Sequence, residues 1–221
     1  MRIKRIAIAV ALCCFGVLAV SSAANAQMGM GRSSVPAYGG VFNPTVGVGA
    51  DYAITTSKGE NMTMSMAIVG KESVNGQPGY WMQIGIDGAK KQKGTMYMKW
   101  LSVVTNDEVT TTKMLMGMNG QVYEMPNMMA GSQKRSTDAN IEATGQNLGT
   151  ESITVPAGTF QTTHWRSKDG DNDVWVMKDA GPWGMVKMVS KEGTTAVLTK
   201  SYTDAKDMLT GPVTTFPGMP K

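Results

Sequence analysis

Met62-Thr63-Met64-Ser65-Met66 carries a methionine at every second position. Successive side chains of a β-strand point to opposite faces, so this alternation predicts a strand with all three methionines on one face. The same period of two recurs in three later segments. Each segment has one group of residues on a shared face, and the groups are Met82, Ile84 and Ile86; Met96, Met98 and Trp100; and Met114, Met116 and Met118. The sequence therefore predicts a β-sheet with one face that is unusually rich in methionine.

Turn-forming pairs such as Asn75-Gly76 and Asn119-Gly120 separate the extended segments, and no segment has a sustained helical period. This pattern is typical of a mainly β protein built as an antiparallel meander. We predict strands over residues 46–56, 61–70, 79–87, 94–104, 108–118, 121–125, 150–155, 160–168, 173–178, 185–190 and 194–202. The segment 126–149 is interpreted as one or two short helices or a covering loop.

Residues 1–26 have the pattern of a secretory signal peptide. Arg2, Lys4 and Arg5 precede an apolar run over residues 6–20, and Ala24-Asn25-Ala26 forms an A-x-A cleavage site. The apolar run is shorter than the roughly 20 residues that span a bilayer. We therefore expect cleavage after Ala26, no transmembrane segment after cleavage, and a location in the periplasm or outside the cell.

Removal of this segment changes what the composition implies. The formal net charge of the whole chain is +4, with 21 basic and 17 acidic residues. Loss of the three N-terminal basic residues leaves 18 against 17, so a strongly basic surface for nucleic acid is not expected. Cys13 and Cys14 are the two cysteines of the chain and both lie in the signal, so the exported protein has no disulfide.

The remainder is interpreted as one domain with two tails. Residues 27–44 form a flexible Gly-, Ser- and Met-rich leader, and residues 45–209 form a single β-rich domain. Residues 210–221 form a tail because three prolines interrupt any element there. The one histidine, His164, lacks the sequence context of a nucleophile and is interpreted as a partly exposed strand residue.

A motif in the C-terminal half resembles a known group of proteins. It runs as Gly149-Thr150-Glu151-Ser152-Ile153, Val155-Pro156-Ala157-Gly158-Thr159-Phe160, Val174-Trp175-Val176, and Gly181-Pro182-Trp183-Gly184-Met185-Val186-Lys187. The segment 149–187 thus resembles exported bacterial proteins of uncharacterised families related to the outer-membrane lipoprotein carriers, the LolA/LolB/LppX-like superfamily. The resemblance implies an open half-barrel, a strongly curved antiparallel sheet whose hydrophobic concave side takes acyl chains, and it identifies no catalytic residue.

Together these observations predict a non-enzymatic exported protein that binds a hydrophobic small molecule or lipid on a concave sheet face. Methionine side chains are flexible and polarisable, which suits an adaptable apolar surface. The predicted ligand-binding residues are Met64, Met66, Met82, Ile84, Met96, Met98, Trp100, Met114 and Met116. No cofactor is expected.

Two alternative functions are compatible with the same sequence. Thioether sulfur suits Cu(I), so a periplasmic Cu(I) or Ag(I) protein could use Met-x-Met pairs drawn from Met28, Met30, Met62, Met64, Met66, Met114, Met116 and Met118. The other alternative is a structural or interaction domain of the cell envelope with a protein partner of unknown identity.

Overall fold

The structure is a computed structural model that describes residues 28–29, 32–33, 43–88, 94–105, 108–125, 145–167 and 170–215. The predicted signal peptide, Met30 and residues 126–144 lie outside these ranges. Fourteen strands fall within them: β1 (Met28–Gly29), β2 (Arg32–Ser33), β3 (Gly49–Thr55), β4 (Asn61–Val74), β5 (Gln77–Asp87), β6 (Met96–Thr105), β7 (Glu108–Met118), β8 (Gln121–Glu124), β9 (Gly145–Val155), β10 (Gly158–Ser167), β11 (Asn172–Val176), β12 (Met185–Ser190), β13 (Thr195–Tyr202) and β14 (Val213–Thr215).

Twelve of these strands form one open sheet. Its order is β14-β8-β7-β6-β5-β4-β3-β13-β12-β11-β10-β9, so β14 and β9 are the edges, while β1 and β2 pair separately. Every neighbouring pair in the large sheet is antiparallel except β14 with β8, which is parallel. The predicted mainly β, open and curved antiparallel fold is confirmed, and the described ranges contain no helix.

The curvature has a local origin in the ladder. Register irregularities interrupt five strand pairs, next to Ile68, Leu101, His164, Trp175 and Leu198. Such irregularities bend a strand and increase its twist. The C-terminal half curls so far that the amide of Ala157 donates to the carbonyl oxygen of Leu198 at 3.2 Å, although β11 and β12 lie between β10 and β13 in the sheet.

This curl closes the main core. Buried residues from β3 to β5, such as Tyr52 and Met82, form one cluster with buried residues of the C-terminal strands, such as Val174 and Val186. The fully buried Tyr52 also donates its hydroxyl to the carbonyl oxygen of Met185 at 3.1 Å. The two halves of the sheet are therefore held together by apolar contacts and by a buried hydrogen bond.

The predicted turns are confirmed. Asn75 and Gly76 both have positive φ values, 52° and 80°, and join β4 to β5 as a two-residue hairpin loop. Asn119 and Gly120, at 53° and 75°, join β7 to β8 in the same way. Two consecutive positive φ angles match the right-handed twist of the flanking strands, which explains the Asn-Gly sequence at both sites.

Two expectations about local structure need correction. Strand β9 begins at Gly145, so the last five residues of the segment interpreted as helix or loop are extended. Their sequence, Gly145-Gln146-Asn147-Leu148-Gly149, has no apolar alternation because most of these side chains are exposed at the sheet edge. Strand β14 falls in the segment assigned to a tail, where three residues between prolines are too few to show a period.

Candidate functional site

The backbone register aligns the methionines in rows across neighbouring strands. Directly paired residues follow one another in three rows, which are Tyr52, Met64, Ile86 and Met96; Ala50, Met66, Ile84, Met98, Met116 and Tyr123; and Ile68, Met82, Trp100 and Met114. Directly paired side chains in an antiparallel ladder share a face. The nine predicted ligand-binding residues therefore lie on one face of β4 to β7, and we call this set the methionine face.

The methionine face is partly buried and partly exposed. Six of its nine residues are buried, namely Met64, Met66, Met82, Met98, Met114 and Met116. Ile84, Met96 and Trp100 are half-buried. Met64, Met66 and Met82 belong to the main core, whereas Met98, Met114 and Met116 belong to a second cluster. Trp100 packs against both clusters and marks their junction.

The second cluster consists entirely of methionines, and we call it the methionine quartet: Met98, Met114, Met116 and Met125. The sequence prediction did not include Met125. It follows β8, and its amide donates to the carbonyl oxygen of Met114 at 2.9 Å. The sequence does contain a pattern that indicates Met125, because this residue lies two positions after the buried Tyr123 and continues the same alternation.

Trp100 presents a buried polar atom at this junction. Its indole Nε1 is inaccessible to solvent and has no hydrogen-bond partner among the described residues. A buried donor without an acceptor costs about 1–3 kcal/mol. The indole N–H is thus a polar group in an otherwise apolar surface of the sheet.

The opposite face of the same strands carries the polar side chains of Gln83 and Lys99, but these side chains are not open to solvent. Gln83 and Lys99 are only 5% and 6% exposed. Residues 203–211, which we call the C-terminal strap, cover them. Lys99 Nζ forms an ion pair with Asp207 and donates to the carbonyl oxygen of Leu209 at 3.0 Å. Gln83 donates to the carbonyl oxygen of Lys206 and accepts from the amide of Met208.

An apolar contact completes the attachment of the strap. Leu209 is buried with Leu115 and Val122, and Trp81 and Tyr97 pack against this cluster. Gly117 leaves room for Leu209, since a Cβ atom at Gly117 would lie 2.5 Å from a methyl carbon of that leucine. The strap therefore covers this face of the sheet around Gln83, Lys99 and Gly117.

A second polar group of side chains lies on β9 to β11. His164 Nδ1 lies 2.9 Å from a carboxylate oxygen of Glu151, and its Nε2 lies 2.8 Å from a carboxylate oxygen of Asp173. The ring stacks on Trp175 at 4.2 Å between centroids. Arg166 donates to both oxygens of Asp173, at 2.9 and 3.2 Å.

The pKa of Asp173 in this group is lower than its ordinary value. Partial burial acts to raise the pKa of Asp173, but hydrogen bonds and charge interactions with Arg166 and His164 outweigh it and hold the pKa below its ordinary value. The hydrogen bonds and charge interaction with Asp173 raise the pKa of Arg166. His164 itself is only 14% exposed at its side chain, so the interpretation as a partly exposed strand residue is correct, with two carboxylate partners that the sequence did not predict.

The methionines of the Met-x-Met alternative lie in several different environments. Met62 is half-buried at the edge of the main core, Met118 is 37% exposed, and Met28 lies in β1. In the part of the chain that the structure describes, no group of three or more His, Cys, Asp or Glu side chains is placed to hold a metal. No helix in the described ranges is long and apolar enough to cross a membrane.

Comparison with known proteins gives distant structural similarities only. No family model matches the chain, and no curated protein matches it. A crystal structure of a protein predicted to be exported, with a YmcC-like fold, from Bacteroides fragilis is 10% identical, with a TM-score of 0.37, over 73% of this chain and 98% of that one. A predicted lipoprotein from Parabacteroides distasonis is 16% identical, with a TM-score of 0.36, over 73% and 97%.

These scores define no family for the chain. The relationship of the C-terminal motif to the lipoprotein-carrier superfamily therefore stays a prediction from sequence.

Proposed function

We propose that the protein is exported to the periplasm or beyond and holds a hydrophobic ligand, a lipid or acyl chain, on its methionine face, without catalysing a reaction. The observation that carries this proposal is the buried indole N–H of Trp100. This N–H lacks an acceptor among the described residues, and the same face of β5 and β6 carries the half-buried apolar residues Ile84 and Met96.

A ligand with an ester or carboxylate oxygen fits this arrangement. The oxygen would accept the hydrogen bond of Trp100, and the acyl chain would cover Ile84 and Met96. Each methylene that leaves water contributes about 0.8 kcal/mol. Methionine side chains adapt to irregular apolar shapes, which supports a ligand class defined by hydrophobicity rather than by one outline.

The ligand is tested by extraction from the purified protein. We expect protein made in bacteria with its own N-terminal segment to release lipid into organic solvent, detected by mass spectrometry. Trp100→Phe keeps the ring but removes the N–H, and should weaken binding of added palmitate about tenfold. Trp81→Phe is the matched control, because Trp81 lies on the opposite face and donates to Glu72 at 2.9 Å.

The proposal fails if the wild-type protein neither retains lipid nor binds palmitate, or if the two tryptophan variants bind equally well. Failure to bind lipid together with failure to bind Cu(I) or Ag(I) would favour the interpretation of the chain as a structural or interaction domain of the envelope.

Export is tested separately. Cell fractionation should recover the protein outside the cytoplasm, and N-terminal sequencing should begin at Gln27, after the A-x-A site. Recovery of the uncleaved chain in the cytoplasm would contradict this part of the proposal.

A further inference from the structure

The methionine quartet differs from the rest of the core in its chemistry. A buried cluster normally mixes aliphatic and aromatic side chains, as the main core does with tyrosine, isoleucine, valine and tryptophan. The quartet contains four thioethers and no other buried side chain. Met98, Met114, Met116 and Met125 are 4%, 7%, 9% and 6% exposed, so all four sulfurs are withdrawn from bulk water together with their side chains.

The sheet holds the four residues next to one another. Met98 on β6 pairs directly with Met116 on β7, and Met114 lies two positions before Met116 on the same face. Met125 is joined to Met114 by its backbone hydrogen bond. Three members of the quartet thus occupy neighbouring positions of the sheet, and the fourth is held beside them by a backbone hydrogen bond, so movements of the flexible side chains could bring the sulfurs to a common point.

We propose that Met98, Met114, Met116 and Met125 form a binding site for a soft monovalent cation, Cu(I) or Ag(I). Thioether sulfur is a soft, neutral ligand that selects Cu(I) over hard cations. The quartet contains no carboxylate or imidazole, so it offers nothing to balance a second positive charge, and a divalent ion is disfavoured. This site goes beyond the proposed lipid function and does not depend on it.

The packing of the quartet also favours an ion over a second lipid site. Its members are buried in one cluster, whereas the half-buried residues that an acyl chain could cover, Ile84, Met96 and Trp100, lie on the same face outside it. A single ion bound by four sulfurs needs far less room than a chain of methylene groups. The ion and the acyl chain would therefore occupy different, neighbouring parts of the methionine face.

The test compares two pairs of Met→Leu substitutions in the full chain, produced with its own N-terminal segment. Met98→Leu with Met116→Leu removes two sulfurs of the quartet. Met64→Leu with Met66→Leu is the matched control, since it removes an equally buried Met-x-Met pair from the main core. Leucine has a similar volume, so both variants should fold, and thermal unfolding checks this.

Each protein is titrated without oxygen with Cu(I) buffered by bicinchoninate, and in a second arm with Ag(I), while the methionine methyl signals are followed by NMR. We expect the wild type to bind one equivalent of Cu(I), with shifts confined to the four quartet methyls. The quartet variant should bind at least tenfold more weakly, and the control variant should bind like the wild type. Ag(I) should compete for the same site, and Ag(I) binding without Cu(I) binding would restrict the site to silver.

The proposal is overturned if the wild type binds neither ion at one equivalent, if the quartet variant binds as tightly as the wild type, or if both variants lose binding equally. Here palmitate binding is measured on the wild-type protein only. A wild type that binds Cu(I) or Ag(I) but not palmitate separates failure of the lipid function from this proposal, and one that binds palmitate but neither ion shows that this proposal alone has failed.

Discussion

Lys99 shows how one polar residue organises the face opposite the methionines. Its ammonium group is almost fully buried, pairs with Asp207, and lies 5.0 Å from the centroid of the Trp81 ring. A buried charge is tolerated only when it is paired and hydrogen-bonded. The carboxylate and the carbonyl oxygen of the C-terminal strap meet this requirement, so the lysine fixes the position of the strap.

We predict that Lys99→Met destabilises the protein by about 1.5–3 kcal/mol, the range for hydrogen bonds to charged groups. Urea unfolding measures the change. Lys113→Met is the control, because Lys113 pairs with Glu124 at 3.7 Å with the two side chains 38% and 46% exposed, and exposed pairs contribute only about 0–1 kcal/mol. Equal effects of the two substitutions would show that the strap is not anchored by Lys99.

Asp173 makes a pH-dependent contribution to the stability of the fold. Its pKa is lowered in the folded protein, so it stabilises the fold above its unfolded-state pKa of about 3.9, and this contribution is lost as the pH falls through the folded-state value. We predict that Asp173→Asn lowers the urea midpoint at pH 7 and that its difference from wild type shrinks towards pH 3. Arg166→Gln should remove part of the same pH-dependent difference. A difference that grows on acidification would contradict the assignment.

At the scale of single elements, the turn between β11 and β12 depends on one glycine. Gly181 has a φ of 85°, and a Cβ atom there would lie 2.5 Å from the Cβ atom of Ala50 on β3. The neighbouring Pro182 and Trp183 are buried in this turn. The turn can therefore pack on β3 only because residue 181 has no side chain.

We predict that Gly181→Ala lowers the free energy of unfolding by more than the roughly 1–3 kcal/mol of a strained backbone alone. Gly193→Ala isolates the backbone effect, because Gly193 has a similar φ of 87° and a Cβ atom there would meet no described atom within 4 Å. Chemical denaturation of both variants gives the comparison. If Gly193→Ala is as destabilising as Gly181→Ala, close packing against Ala50 is not the cause.

The strands themselves were predictable because their signal is local. A shift of one residue would move every methionine of β4 to the other face, so alternation alone defines which side chains share a face. The Asn-Gly pairs likewise predict their hairpins from two residues. By contrast, β14 has three residues and β9 is mostly exposed, so neither carries a complete periodic pattern.

At the scale of the whole molecule, the sequence did not predict what covers each face. Gln83 and Lys99 are polar and alternate with apolar residues, which indicates a solvent-facing position unless a distant segment supplies partners. Those partners are residues 203–211, more than 100 positions later in the chain. Composition also does not show where the register of the strands is irregular. These irregularities bend the sheet until the amide of Ala157 reaches the carbonyl oxygen of Leu198.

The two faces of the sheet therefore have different roles in the proposed function. The strap closes one face, and the methionine face combines a buried interior with half-buried residues around Trp100. The central claim is that an acyl ligand lies on the second of these faces.

Photo-crosslinking with a diazirine analogue of palmitic acid tests this claim most directly. After irradiation and proteolysis, mass spectrometry should find the label on β5 and β6, at Ile84, Met96 or Trp100, and excess unlabelled palmitate should abolish it. Labelling of the C-terminal strap or of the Glu151–His164–Asp173 group, or labelling that excess palmitate does not reduce, would contradict the account.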